Sequence, residues 1–483
     1  MKRNLTLLTD FYEYTMANGY KLAGIGGKKV YFDLYFRKVP DGGGFAIAAG
    51  LGTAIDIINN LHFDDEDIEF LRSKGIFSEQ WLESLHDFKF RGDIWAVPEG
   101  TPVFPNEPLM TVRADAEQAQ MIETLMLVCL NHQSLIATKA SRIVRAADGR
   151  AVMEFGSRRA QGPDAAFWGA RAAYIAGVIG TACTIDEKAF GIPALGTMAH
   201  SWIQIFDDEY TAFKTYCTIY PNNPSLLIDT YNVLHSGLPN AIRVFKELGI
   251  KKCSVRIDSG DIAYLSSKAR KILDEAGLVD CKIVASNSLD ENLILDLIRQ
   301  GGCVDSFGVG ERLITAKSDP VFGGVYKLVA VENEKGEVVP KIKVSENVAK
   351  ITTPHFKRVY RIYENATGKA IADYLTVYNE NPDFTQPLEL FDPQYTWKRK
   401  IITDYTAREL LVPIFKNGEQ VYESPDVEEI RRYCAAELEL QWDEVKRFEN
   451  PHNYYVDMSE TLWNVRENLL KQSGKSAEMA AEK

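Results

Sequence analysis

His200 is one of seven histidines in the chain. It follows the small-residue run Gly196-Thr197-Met198-Ala199 and stands directly ahead of Ser201 and Trp202. A histidine at a strand end beside such a loop can reach a ligand and serve as nucleophile or base. A capping imidazole, or one satisfied inside a core, is written with the same letters. Asp258-Ser259-Gly260-Asp261 sets two carboxylates three residues apart across a glycine turn. Such a pair can chelate a ribose diol or hold a partly hydrated Mg2+; it equally encodes an Asx turn with a helix N-cap. Arg158 and Arg159 are adjacent, with Gln161-Gly162-Pro163 close behind. Guanidinium forks bind carboxylates and phosphates bidentately, although a surface charge pair needs no ligand. Arg256 lies inside the apolar run Ser254-Val255-Arg256-Ile257 and must find an anion there, a ligand or an acid such as Asp258. Phe307-Gly308-Val309-Gly310 reads as a glycine-rich turn opening a helix, whose bare amides can cradle a phosphate. Leu313 stands where a GxGxxG fingerprint needs its third glycine, and no GxxxxGK[ST] loop occurs. Histidine pairs of the HxH or HExxH kind are absent too. Taken together, these residue types fit a small phosphorylated anionic substrate better than a metal hydrolase.

The elements that must position them are short. Six apolar runs (151–155, 192–195, 226–228, 254–257, 282–285 and 304–307) each end in a small polar or glycine cluster, usually with a helical pattern behind it. That rhythm predicts parallel strands with helical crossovers, an arrangement that collects chemistry at the carboxyl ends of the strands. Ser286-Asn287 ends one such run. The first 135 residues read as mixed α/β, with a β-rich run over 30–36, a breaker at 41–44, a helix from near Phe45 and a buried helix over 118–130. After Gly310 the pattern turns to antiparallel hairpins, 325–331 with 338–344 and 358–363 with 369–375. A helix is expected with Ser424 as N-cap and Pro425 at its first helical position. The tail 471–483 offers nothing to bury and is expected to fray.

Composition limits what such a chain can do. Its 483 residues carry 55 Lys+Arg against 67 Asp+Glu, a net charge of −12, with 46% hydrophobic and 25% charged residues. These are globular values. The negative balance argues against nucleic acid and against an anionic membrane surface, so any phosphate must be gripped locally. Seven cysteines form no CxxC pair, which suits free thiols in a reducing compartment. Asp10 interrupts the N-terminal apolar stretch, and nowhere do 18 apolar residues run together. A soluble, cytoplasmic protein is expected.

The ordered blocks 8–13 (Leu-Thr-Asp-Phe-Tyr-Glu), 154–164 (Glu-Phe-Gly-Ser-Arg-Arg-Ala-Gln-Gly-Pro-Asp), 196–202, 256–261, 285–287 and 307–310 resemble the nicotinate, nicotinamide and quinolinate phosphoribosyltransferases, nicotinate enzymes most of all. The resemblance implies an α/β fold: an irregular, partly open α/β barrel over 136–330, beside a sandwich-like α/β domain built from 1–135 with 331–483 packing back on it. It implies joining of nicotinate to 5-phosphoribosyl 1-pyrophosphate (PRPP), ATP hydrolysis coupled through phosphorylation of His200, and Mg2+ with the pyrophosphate. It also implies a homodimer with shared active sites. Phe155 would stack on the pyridine, with Tyr12 over the other face from the second subunit. Arg158 and Arg256 would face the carboxylate and phosphates, and Asp258 the ribose or the metal-bound pyrophosphate. Ser286, Asn287, Gly308 and Gly310 would hold the 5′-phosphate, with Ser201 beside His200. Relatives preferring the amide carry a carboxylate after Gly-Thr, where this chain has Ala182, which favours nicotinate; nicotinate enzymes often have Ser-Asn there, whereas this chain has Ala182-Cys183. A nicotinamide-using relative and a silent binding protein of the same fold are the alternatives; the second would have lost motif residues, and His200, Arg256 and Asp258 are all present.

Overall fold

The computed structural model describes residues 4–347, 350–393 and 395–481, with side chains given as far as residue 473. Its contacts divide the chain into two compact units, one of residues 136–320 and 426–431, the other of residues 1–135, 321–425 and 432–483.

The first unit is built on five parallel strands: β1 (Ala151–Glu154), β2 (Ser225–Leu227), β3 (Ser254–Ile257), β4 (Lys282–Ser286) and β5 (Ser306–Val309). Their order is β1-β5-β4-β3-β2. Apolar runs of three to five residues suit strands covered on both faces, and Val152, Val255, Ile283 and Phe307 are all buried. Helices cross between them, capped where the sequence supplies an acid. Asp261 accepts the Tyr264 N–H ahead of the helix Ile262–Glu275, and Asp290 accepts the Leu293 N–H ahead of Glu291–Arg299. Beyond β1 the parallel pairing continues only as single bridges, Glu154 to Thr181 and Thr181 to Ala194. The run 192–195 is therefore not the expected strand; Pro193 cannot donate to a ladder. Among the described residues no ladder joins β2 to Ala194, so the sheet is open. The run 304–307 is displaced by two residues. Gly308 sits inside β5, in register with Met153 and Ser286, so the expected glycine loop shrinks to Gly310.

In the second unit a seven-stranded sheet, antiparallel throughout, interleaves early and late sequence. Lys29–Tyr35 lies between Val325–Glu332 and Met110–Asp115, and Asp93–Ala96 pairs with Val412–Lys416. Residues 321–330, read above as the end of the central domain, belong to this unit. Both expected hairpins form, Val325–Glu332 with Val338–Pro340, whose second arm stops at Pro340 rather than running to 344, and Lys357–Glu364 with Ala370–Val377. Fully buried Arg361 and Asp373 pair at 2.7 Å across the second hairpin. The early helix starts at Leu51 rather than Phe45, because Ala46–Ile47 pairs with Pro102–Val103 and Gly50 (φ 100°) turns the chain first. The late helix, Val427–Glu439, begins two residues beyond Pro425. Asp426 and Glu429 exchange backbone-to-side-chain hydrogen bonds there, which displaces Ser424 as the cap. The final helix, Glu460–Ala481, extends into the tail from residue 471 that was expected to fray, a stretch rich in the helix formers Ala, Glu, Lys and Met. Residues 482–483 lie outside the described residues. No helix among the described residues is long and apolar enough to cross a membrane.

Candidate active site

The carboxyl ends of β1, β3 and β4 converge on Arg256, and that of β5 lies against Phe155. Its side chain, 14% exposed, is held by three partners. Nε donates to Ser286 Oγ at 2.9 Å, Nη1 to Thr197 Oγ1 at 3.0 Å and Nη2 to Asp258 Oδ1 at 2.8 Å. Ser286 Oγ in turn donates to Asp258 Oδ1. The guanidinium carbon lies 5.9 Å from the centre of the Phe155 ring, within cation–π range. Thus the half-buried charge inside the apolar run is answered by Asp258, and its planar fork is fixed.

His200 opens the short helix His200–Gln204. Nδ1 is 3.1 Å from Thr230 Oγ1, and Nε2 is 3.9 Å from Asp258 Oδ2. The ring is 39% exposed, neither a core imidazole nor a helix cap. Asp229 braces the Asp258 turn, its Oδ2 accepting the Asp258 N–H at 3.1 Å and the Ser259 hydroxyl at 2.6 Å. Asp229 Oδ1 is buried with no hydrogen-bond partner among the described residues. Of the two carboxylates in Asp258-Ser259-Gly260-Asp261, only Asp258 enters this cluster; Asp261 is the helix cap.

The Phe155 ring lies with its Cδ2–Cε2 edge against a bare backbone. A Cβ on Gly308 would fall 2.6 Å from Phe155 Cδ2, and one on Gly310 would fall 3.0 Å from the Phe155 carbonyl oxygen. Asn287 and Ser288 take left-handed φ values of 90° and 50° at the end of β4, and Asn287 is exposed. Arg158 lies in the exposed turn Ser157–Arg159, and Ser201 is exposed on the His200 helix. Tyr12 belongs to the other unit, on the helix Phe11–Leu22, 44% exposed. Burial and neighbouring Glu123 push its hydroxyl pKa up.

Sequence reasoning passed over Thr197, Asp229 and Thr230 as individuals, and it missed Glu154 and Asp186. Glu154 carried a signal: like Arg256, it is a charge within an apolar run. Burial pushes its carboxyl up to about 7, against hydrogen bonds from Thr181 and Gly156. Burial likewise pushes Asp186 up to about 6, and nothing in its polar helix foretells that.

A guanidinium, a partly exposed imidazole and carboxylates at the ends of parallel strands can bind a phosphorylated sugar and accept a phosphoryl group. Comparison with known proteins agrees. The nicotinate phosphoribosyltransferase N-terminal domain matches residues 7–131, and the C-terminal domain of the same family matches 356–466. Nicotinate phosphoribosyltransferase from Bacillus subtilis (strain 168) is 44% identical over 463 residues, covering 95% of this chain and 94% of that protein. The protein of that name from Mus musculus is 30% identical, covering 96% of each chain. Human nicotinic acid phosphoribosyltransferase superposes with a TM-score of 0.83 at 28% identity over 96% of this chain and 100% of that one. A nicotinate-nucleotide pyrophosphorylase from Pyrococcus furiosus gives 0.70 at 26% identity, over 90% of this chain and 95% of that one. With near-full-length identity of this order, the chain belongs to the nicotinate phosphoribosyltransferase family.

Proposed function

We propose that this cluster joins nicotinate to PRPP, giving nicotinate mononucleotide and pyrophosphate for NAD salvage. The observation that carries the reading is the triply held Arg256 within one cluster with Asp258 and His200. The pyridine nitrogen attacks the anomeric carbon, the bond to the pyrophosphate oxygen breaks, and that electron pair leaves with pyrophosphate; no proton need move. The ribose passes through an oxocarbenium-like state, so the residues must hold the leaving group and keep the ring in line. Phe155 stacks on the pyridine. Arg256 and Arg158 face carboxylate and phosphates, and Asp258 takes the ribose hydroxyls. Ser286, Asn287 and Gly310 approach the 5′-phosphate, while Gly308 supports the site by leaving room for the Phe155 ring.

ATP enters through His200. With the Nδ1 proton directed to Thr230, the Nε2 lone pair is free to attack the γ-phosphorus, and ADP leaves with the β–γ oxygen. Asp258 Oδ2, 3.9 Å from Nε2, offsets the positive charge that develops on the ring. Ser201 lies next in the chain, in reach of the same phosphoryl group. Hydrolysis of the N–P bond then helps drive synthesis.

The residues fit Mg2+ carried in with pyrophosphate. Asp229 offers an unpartnered buried carboxylate oxygen and Asp258 a second carboxylate, and Mg2+ commonly takes one or two carboxylates plus substrate phosphates. No cage of three or more ligating side chains exists among the described residues. When bound, the ion would neutralise charge on the departing pyrophosphate.

The open sheet, continued past β1 by Thr181 and Ala194, supports the partly open barrel, with one domain division at 135 as expected and the second at 320 rather than near 330. Tyr12, exposed on its helix, is proposed to complete a partner subunit's site in a homodimer. The test is incubation with γ-labelled ATP, with and without nicotinate. Acid-labile, base-stable label is expected in the parent chain and absent from His200→Ala. A His200→Ala protein that keeps ATP-dependent synthesis would refute the phosphohistidine. Parallel kinetics with nicotinate and nicotinamide test the pyridine; exposed Ala182 presents nothing to repel an acid.

A further inference from the structure

One buried acid takes no part in the chemistry above. Glu154 ends β1 with no exposed surface, and its two oxygens serve two different turns. Gly156 N–H donates to Oε1, in the turn that carries Phe155 and Arg158. The Thr181 hydroxyl donates to Oε2 at 2.6 Å, in the turn that carries Ala182. The backbones repeat the tie: Glu154 N–H donates to the Gly180 carbonyl at 3.0 Å, and Ala182 N–H donates to the Glu154 carbonyl at 2.8 Å. Thr181 Oγ1 also accepts the Cys183 N–H at 2.9 Å, which fixes the second turn from within. The first turn has no slack, since a Cβ on Gly156 would fall 2.6 Å from Ile314 Cβ and 2.7 Å from the Gly310 carbonyl oxygen. Among the described residues Glu154 forms no ion pair, and the charged group that bears on it electrostatically is another acid, Asp186. An apolar residue would fill this space more cheaply than an uncompensated carboxyl. What the carboxyl adds is a link between two turns.

We infer that Glu154 is a positioning residue for the pyridine, clamping the turn of Phe155 and Arg158 to the turn of Ala182 so that the ring's slot keeps its width. The inference rests on the proposed stacking of the pyridine on Phe155. Glutamine can hold the same clamp, its carbonyl accepting from Gly156 and its amide donating to a reversed Thr181 hydroxyl; alanine and Thr181→Val cannot.

Steady-state kinetics on the full chain, varying nicotinate and PRPP separately, test this on Glu154→Ala, Glu154→Gln, Thr181→Val and Phe155→Ala. Loss of one hydrogen bond to a buried carboxylate is expected to raise the nicotinate KM of Thr181→Val about tenfold, with the PRPP KM within about twofold. Glu154→Ala should exceed that, and Glu154→Gln should recover to within about threefold of the parent. A nicotinate KM for Thr181→Val within about twofold of the parent, an equal rise in both KM values, or a glutamine no better than alanine overturns the inference. If Glu154→Ala fails to fold, Thr181→Val and Glu154→Gln decide the matter. Should Phe155→Ala leave nicotinate binding unmoved, the pyridine placement itself falls and the clamp with it. If Phe155→Ala weakens nicotinate binding and Thr181→Val does not, the clamp alone falls.

Discussion

Gly308→Ala puts one methyl group into the closest contact of the site. Its carbon would lie 2.6 Å from Phe155 Cδ2, 2.8 Å from Cε2 and 3.5 Å from Ser286 Cβ. Carbon atoms pack comfortably at about 3.5–4.0 Å, so the ring must retreat by about 0.9 Å or more. The backbone cannot take up the shift, because Phe155 N–H donates to the Val309 carbonyl at 2.7 Å and Gly308 is locked in register between Met153 and Ser286. The ring must therefore leave its rotamer well. Overpacking of this kind costs about 1–3 kcal/mol, and about 1.4 kcal/mol is a factor of ten in an equilibrium constant. Two readouts follow. The melting temperature should fall by about 2–4 °C for each kcal/mol, and the nicotinate KM should rise about tenfold while the PRPP KM moves less. Phe155→Leu in the same chain removes the ring edge and should restore part of the lost stability, a non-additivity of about 1 kcal/mol. An unchanged melting temperature, or a nicotinate KM within about twofold of the parent, refutes the reasoning. So does a double variant whose costs simply add.

Three further outcomes are expected. Arg256→Lys keeps the charge but cannot span Ser286, Thr197 and Asp258 at once; kcat/KM for PRPP should drop about a hundredfold, and a drop below about threefold argues that the fork is not what binds. Asp373→Asn uncovers fully buried Arg361 and should cost about 3–5 kcal/mol in urea unfolding; a cost under about 1 kcal/mol contradicts the pairing. Glu154 near 7 and Asp186 near 6 both hold their protons more tightly folded than unfolded. Their stabilisation is full below about pH 4 and is lost as the pH rises through 6 and 7. Asp186→Asn should therefore lose about 1 kcal/mol less than the parent between about pH 5 and 8, and an equal loss in both chains defeats the assignment.

What could be read from the letters divides along one physical line. Short apolar runs ending in Gly or Asp announce buried parallel strands because the run must be covered and the chain must then turn. Five of the six were strands, and each brought its polar cluster to the same end of the sheet. The failures came where a local rule met a tertiary partner. Gly308 reads as a turn by composition, yet it lies inside β5 because the Phe155 ring needs a surface without a Cβ. Ser424-Pro425 is a sound helix start, but Asp426 makes a reciprocal pair with Glu429 that Ser424 does not. Pro193 turned an apparent strand into a single bridge.

The site shows the same division more sharply. Arg256 was legible because an unpaired charge in an apolar run is costly wherever it lies, so its burial predicts a partner from sequence alone. The identical argument applied to Glu154, whose run reads as apolar up to the acid, and the missing step was to ask for its donors as well as for Arg256's acceptor. Thr197, Thr230 and Asp229 obey no such rule. Each is a small polar residue at home in any turn, and its meaning comes only from what it meets across the cluster: the Arg256 fork, the His200 ring and the Asp258 turn. These second partners matter most in a chain of net charge −12. Its overall field repels phosphate, so attraction must come from cations that stay aimed, and three fixed hydrogen bonds, one of them to Asp258, hold the Arg256 fork in a single orientation.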